Sequence, residues 1–120
     1  MSTNTYLAIF TGSKTSPRRK AWDAMTDEQR SAKEKEGIAG WGAWMAKHSA
    51  VLVEGGGPLG KTKRISADGI ADVSNEIGAF VMVRASSPEE AAKFFEGHPH
   101  FTIFPGDAVD VMPVMKPPGA

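Results

Sequence analysis

Three segments of this chain read as β-strands that are apolar on both faces, and this constrains its fold more than any other feature. In Tyr6-Leu7-Ala8-Ile9-Phe10, Tyr6, Ala8 and Phe10 point one way while Leu7 and Ile9 point the other. In Ile77 to Ala85, the strongest strand pattern in the sequence, Ile77, Ala79, Val81 and Val83 oppose Phe80 and Met82. In Ala108 to Met115, Val109, Val111 and Met115 oppose Met112 and Val114, with Asp110 the lone charge. A sheet with one face in water alternates apolar with polar residues. These segments do not, so both faces of their sheet require burial.

The helices available can cover one face. Thr26-Asp27-Glu28-Gln29 is a capping box, predicting a long helix that runs to about His48. Its first half is polar, whereas Ile38, Trp41, Met45 and His48 recur on one side of its second half. Trp44 lies beside that stripe and could overhang a cleft. Gly37, Gly40 and Gly42 each cost a helix roughly 1 kcal/mol against alanine, which implies close packing of this segment. Ser87-Pro88-Glu89-Glu90 starts a second helix, with serine as N-cap and glutamates in the first turn, ending at Gly97. Ser16-Pro17 can cap a shorter turn through Trp22 and Met25.

Val51-Leu52-Val53 is a short strand that runs into Glu54-Gly55-Gly56-Gly57-Pro58. The glycines suggest a phosphate-cradling loop, but no Lys-Ser/Thr pair opens a helix after them, and Lys63-Arg64-Ile65-Ser66 alternates like a strand. A bent hairpin is the better reading. Ala67-Asp68-Gly69 is a turn, and Asp72 to Asn75 reads as a polar loop. The resulting order is that of an α+β ferredoxin-like sandwich: an antiparallel sheet with two helices on one face.

With 120 residues the chain supports one domain, a core over about 5–115 and a tail over 116–120. Fourteen basic and fourteen acidic residues balance, so neither nucleic acid nor an anionic membrane is an expected partner. The absence of cysteine excludes disulfides and thiolate chemistry and fits a cytoplasmic protein. No signal segment or membrane span is expected, and neither is a cofactor.

The candidate site is Phe94-Phe95-Glu96-Gly97-His98-Pro99-His100-Phe101, where two of the three histidines crowd against aromatic rings. Pro99 pushes His98 out of the α region. On extended backbone the two imidazoles face opposite sides, which argues against a shared metal. One ring can face a pocket while the other caps a helix; equally, Gly97-His98-Pro99 can serve only as a helix stop. Glu54, at a strand end beside flexible glycines, and Asp68, in its turn, are candidate proton-transfer partners of His98 or His100, although each also reads as a plain surface carboxylate. Trp41, Trp44 and Phe101 are candidate apolar walls of a ligand site. Arg18-Arg19-Lys20 could hold an anionic ligand or be a solvated face.

Several of these segments, in order, resemble the YCII-related family, including its DGPF-type branch, within the dimeric α+β barrel superfamily. They are Gly57-Pro58-Leu59, the Asp68-Gly69 turn, Gly78-Ala79-Phe80, Ser87-Pro88-Glu89-Glu90-Ala91, His98-Pro99 and Val109-Asp110-Val111-Met112-Pro113-Val114, within about residues 5–115. The resemblance implies a small homodimer joined through its sheet, with a cleft between helices and sheet and, for most members, no assigned activity. Enzyme-like members are thought to use a histidine near the start of the first long helix with an aspartate. Here Thr26 to Arg30 contains no histidine, and Asp68-Gly69 is not followed by Pro-Phe.

Two function classes follow. One is a small-molecule binding protein; the other is an enzyme of lyase or isomerase type in which His98 or His100 moves a proton. A carboxylate bonded to an imidazole inside a pocket supports the second, and histidines bonded only to backbone support the first.

Overall fold

The computed structural model describes residues 4–119. The first strand, β1 (Asn4–Thr11), is followed by α1 (Pro17–Ala24), where the Ser16 side chain accepts the Arg19 amide. Both halves of the capping box at Thr26 are present. The Gln29 amide donates to Thr26 Oγ1 at 3.1 Å and the Thr26 amide to Gln29 Oε1 at 2.9 Å, so α2 (Asp27–Lys47) starts where the sequence places it.

After α2 come β2 (Leu52–Pro58), β3 (Thr62–Ser66), β4 (Gly69–Val73) and β5 (Ile77–Ala85), then α3 (Pro88–Lys93), α4 (Pro99–Thr102) and β6 (Ala108–Pro113). The main sheet has the order β2-β5-β1-β6, with every neighbour antiparallel. β3 and β4 form a separate two-stranded ribbon between β2 and β5. This is the expected α+β ferredoxin-like sandwich. At 20 Å in its thinnest direction it holds one sheet and one helical layer. Among the described residues no helix is long and apolar enough to cross a membrane.

The helices cover one face of the sheet. Tyr6, Ala8 and Phe10 of β1 and Ala79, Val81, Val83 and Ala85 of β5 are buried with Trp44, Ala91 and Phe95 in a single core. Their alternates, Leu7, Ile9, Phe80 and Met82, are only half-buried.

Four local expectations need correction. The glycine run is not a connection but part of β2, which pairs with β5 through two register shifts around Glu54. Bulges absorb the extra residues. Gly56 has φ +61°, and a Cβ there would lie 1.8 Å from the Phe80 carbonyl, so only glycine fits. Residues 69–73, part of which reads as loop, form β4, because Ile70 and Asp72 pair with Ile65 and Lys63. The second helix ends at Lys93, and turns carry the chain to Gly97, whose φ is +69°. Lastly, the histidines do not sit on a strand. His98 is extended at φ −61°, ψ 141°, and α4 begins at once with Pro99 in its first turn.

Candidate functional site

The second half of α2 leans over the sheet and leaves a cavity of about 540 Å³ beneath it. Phe10 from β1, Trp41, Trp44 and Met45 from α2, and Phe104 from the loop before β6 supply most of its apolar surface. The Phe10 and Trp41 ring centroids are 4.9 Å apart, and those of Trp41 and Phe104 6.3 Å. Glycines make the room. Gly42 of α2, Gly55 and Gly57 of β2 and Gly78 of β5 all line the cavity, and a Cβ at Gly42 or Gly57 would meet no atom within 4 Å. No charged side chain lines this chamber; the side chain there able to exchange protons is His100.

Backbone bonds fix His100. Its Nε2 lies 2.7 Å from the Thr11 carbonyl oxygen. A carbonyl can only accept, so Nε2 carries the hydrogen and Nδ1 is the acceptor of the neutral ring. Nδ1 makes no hydrogen bond among the described residues. The ring reaches Thr11 because position 106 is glycine: a Cβ there would lie 2.2–2.3 Å from the imidazole. Burial lowers the His100 pKa below the ordinary histidine value, against the opposing pull of the Thr11 and Ala108 carbonyls and the Asp107 carboxylate. At neutral pH the ring is an uncharged acceptor.

His98 has a different environment. It is fully buried, and its Nδ1 accepts the His100 backbone amide at 3.0 Å, making it the N-cap of α4. An acceptor Nδ1 again places the hydrogen on Nε2, which is buried with no hydrogen-bond partner among the described residues. The imidazole stands at 89° to the Trp41 ring with centroids 4.5 Å apart, and at 64° to Trp44 with centroids 4.9 Å apart. Such edge-to-face contacts with electron-rich rings offer the N–H partial compensation. Burial, then the neighbouring His100 and His48, lowers the His98 pKa to about 4.

Comparison with known proteins bears on the fold. A solved structure of 5-chloro-2-hydroxyhydroquinone dehydrochlorinase (TftG) from Burkholderia phenoliruptrix AC1100, in complex with 2,5-dihydroxybenzoquinone, superposes with a TM-score of 0.53. The match covers 90% of each chain at 17% sequence identity. This chain has the same fold. No family model matches the sequence, and no curated protein matches it.

The structure separates the residues that the sequence groups together. His100, Trp41 and Trp44 meet at the cavity. His98 lies behind Phe10, Trp41 and Trp44, outside the lining. Phe101 is also outside it, its carbonyl accepting a bond from Arg18. Glu54 is exposed and accepts the Gly56 amide at 3.1 Å, while Asp68 is exposed in the ribbon turn. Neither carboxylate bonds an imidazole, so proximity in sequence to glycines and turns did not translate into proximity to the histidines. The carboxylate that acts on His100 is Asp107, which itself accepts the Ser13 amide at 2.7 Å. Sequence reasoning also missed Phe10 and Phe104. Phe10 carried a signal, being the inward aromatic at the end of its strand, whereas Phe104 arrives through a loop and carried none. Among the described residues no three of His, Cys, Asp and Glu cluster closely enough to hold a metal ion.

Proposed function

We propose that this is a YCII-related protein of the cytoplasm, homodimeric through the open face of its sheet, that binds a small, mainly apolar, ring-containing molecule in the chamber beneath α2. One observation carries the binding reading: the hydrogen bonds of His98 and His100 go to backbone atoms, so the buried His98 supports the chamber from behind and His100 forms part of its wall. Its aromatic surfaces suit a flat ligand, and His100 Nδ1 offers that ligand one acceptor. The complex of TftG with 2,5-dihydroxybenzoquinone, on the same fold, lends support to a planar ring as occupant.

The test is NMR of the three tryptophan indole N–H signals during titration with simple phenols and quinones. Saturable shifts of Trp41 and Trp44, with Trp22 unmoved, support the reading. No shift at Trp41 or Trp44 at millimolar ligand rejects it.

A second reading, proton transfer of lyase or isomerase type, draws support from His100 alone. Its neutral Nδ1 is a base, and Asp107 favours the imidazolium that proton abstraction would form. Under that reading, bound ligand exchanges an acidic C–H for deuterium, and His100→Ala stops the exchange.

A further inference from the structure

Between β2 and β5 the chain leaves the main sheet as the β3–β4 ribbon and then returns to it. A two-stranded ribbon standing alone in water is marginal, and becomes stable only with further strands or a helix behind it. The described chain places neither there. Thr62 and Val73, at the base, are half-buried, and every other residue of the two strands is exposed. Ile65 and Ile70 pair directly across the ribbon, so their side chains share one face, where they stand 72% and 74% exposed. Lys63 and Asp72 lie on the same face two residues away and form an ion pair, so the strands present no net charge beside the isoleucines. The outline of the molecule agrees with a projecting arm: its radius of gyration is 16.5 Å, against about 14 Å for a compact chain of this length.

We propose that this ribbon is an arm laid against a second copy of the chain, with Ile65 and Ile70 buried on that copy. The proposal rests on the reading that the open sheet faces pair, and two observations select this occupant. The first is area. Four strands present a face of about 20 by 20 Å, or roughly 400 Å². That is half of the about 800 Å² that each partner gives to a stable interface. One face of a ribbon of two five-residue strands adds about 170 Å². Under twofold symmetry each copy both extends an arm and receives one, which brings the pair close to the required size. The second observation is continuity. The ribbon is rooted in β2 and β5, and β5 carries Phe80 and Met82 on the open face. Leu59 and Ile77, at the root, are exposed as well, so apolar surface continues from the sheet towards the Ile65–Ile70 pair.

The experiment measures dimer dissociation by sedimentation for the parent protein and for the Ile65→Thr, Ile70→Thr double variant. Threonine is β-branched and keeps the strand preference of the ribbon while removing its apolar surface. The dissociation constant should rise at least about 10-fold, with circular dichroism unchanged. A second measurement uses Arg64→Cys, on the opposite face of the ribbon, as the single attachment point for a spin label in a chain without cysteine. Spin-labelled copies are mixed with isotope-labelled copies, and amide signals of the isotope-labelled copy should broaden. This readout decides the matter if the threonine variant does not fold. A parent dimer whose affinity is unchanged by the double substitution, or whose partner amides are not broadened, overturns the arm while leaving the sheet pairing in place. A parent protein that is monomeric at every concentration overturns the arm together with the pairing beneath it.

Discussion

The Nδ1 atom of His98 accepts the backbone amide of His100 at 3.0 Å, so the buried histidine holds in place the one that faces the cavity. Without that bond the first turn of α4 has an unsatisfied amide, and His100 keeps its ring contact to Thr11 but loses the support of its backbone. The bond requires an unprotonated Nδ1.

Stability should therefore depend on pH with a definite sign. In the unfolded chain His98 takes up a proton near its ordinary value of 6.5, and in the folded protein only near 4. The unfolded state binds more protons between these values, so the contribution is fully present above about pH 6.5 and is lost as pH falls towards 4. Its size is on the order of 3 kcal/mol for a shift from 6.5 to about 4. His48 and His100 are lowered as well and act in the same direction. Denaturant midpoints measured from pH 7.5 to 4 should fall, and fall less in His98→Asn, where the amide oxygen can still cap α4 but does not titrate. A flat midpoint across that range in the parent protein would contradict this account.

The N-terminus of α2 offers a second, local test. Thr26→Ala removes the acceptor for the Gln29 amide, so stability should drop by roughly 1 kcal/mol at unchanged m-value. An unaltered midpoint would mean that the cap contributes nothing measurable.

The caps at Ser16, Thr26 and Ser87 were legible in the sequence because each is a bond between residues three apart, and so was the two-faced apolar pattern of β1 and β5. What was not legible depended on partners distant in the chain. β2 remains a strand through its glycines because β5 is there to pair with it, and β4 exists because Ile65 and Lys63 face Ile70 and Asp72. The cavity was half legible. Trp41, Trp44 and His100 stood out by residue type, but only packing brings Phe10 and Phe104 to them and leaves Glu54 and Asp68 on the surface. At His98 and His100 Pro99 has two effects: it keeps His98 out of the α region, which the sequence shows directly, and it opens α4 from the first helical turn, which an expectation of extended backbone leaves out.

Glycine substitutions should have opposite signs at two positions. At Gly42, on α2, a methyl group meets nothing, so Gly42→Ala should raise stability by up to about 1 kcal/mol. At Gly56 the positive φ and the Phe80 carbonyl both oppose a side chain, and Gly56→Ala should cost about 3 kcal/mol or fail to fold. Thermal unfolding of the pair decides it. Stabilisation at both positions would show that β2 is not held in its bulged register.

The last prediction concerns the uncovered face of the sheet. On β1, Leu7 lies between Met82 of β5 and Met112 of β6, and Ile9 lies opposite Phe80. Leu7, Ile9, Phe80 and Met82 are only half-buried although they sit on the two central strands, and Met112 on the edge strand β6 is 36% exposed and Val114 just past its end 49%. Nothing within the described chain covers them: the helices lie on the other face, and residues 112–119 after the core of β6 are exposed. A contiguous apolar patch on a sheet exceeds what a monomer normally leaves in water. Pairing two such faces about a twofold axis buries the same residues of both copies, and each Å² of apolar surface removed from water contributes about 25 cal/mol. Asp110, opposite Ile9, then lies within the paired face and sets how the two sheets can approach. The expected species at micromolar concentration is a dimer of the 12.8 kDa chain. Leu7→Lys should shift sedimentation equilibrium to the monomer while circular dichroism stays native, because a lysine at a half-buried site is tolerated in one copy but not between two. A parent protein that sediments at the single-chain mass, with no concentration dependence, would show that this face does not pair with itself.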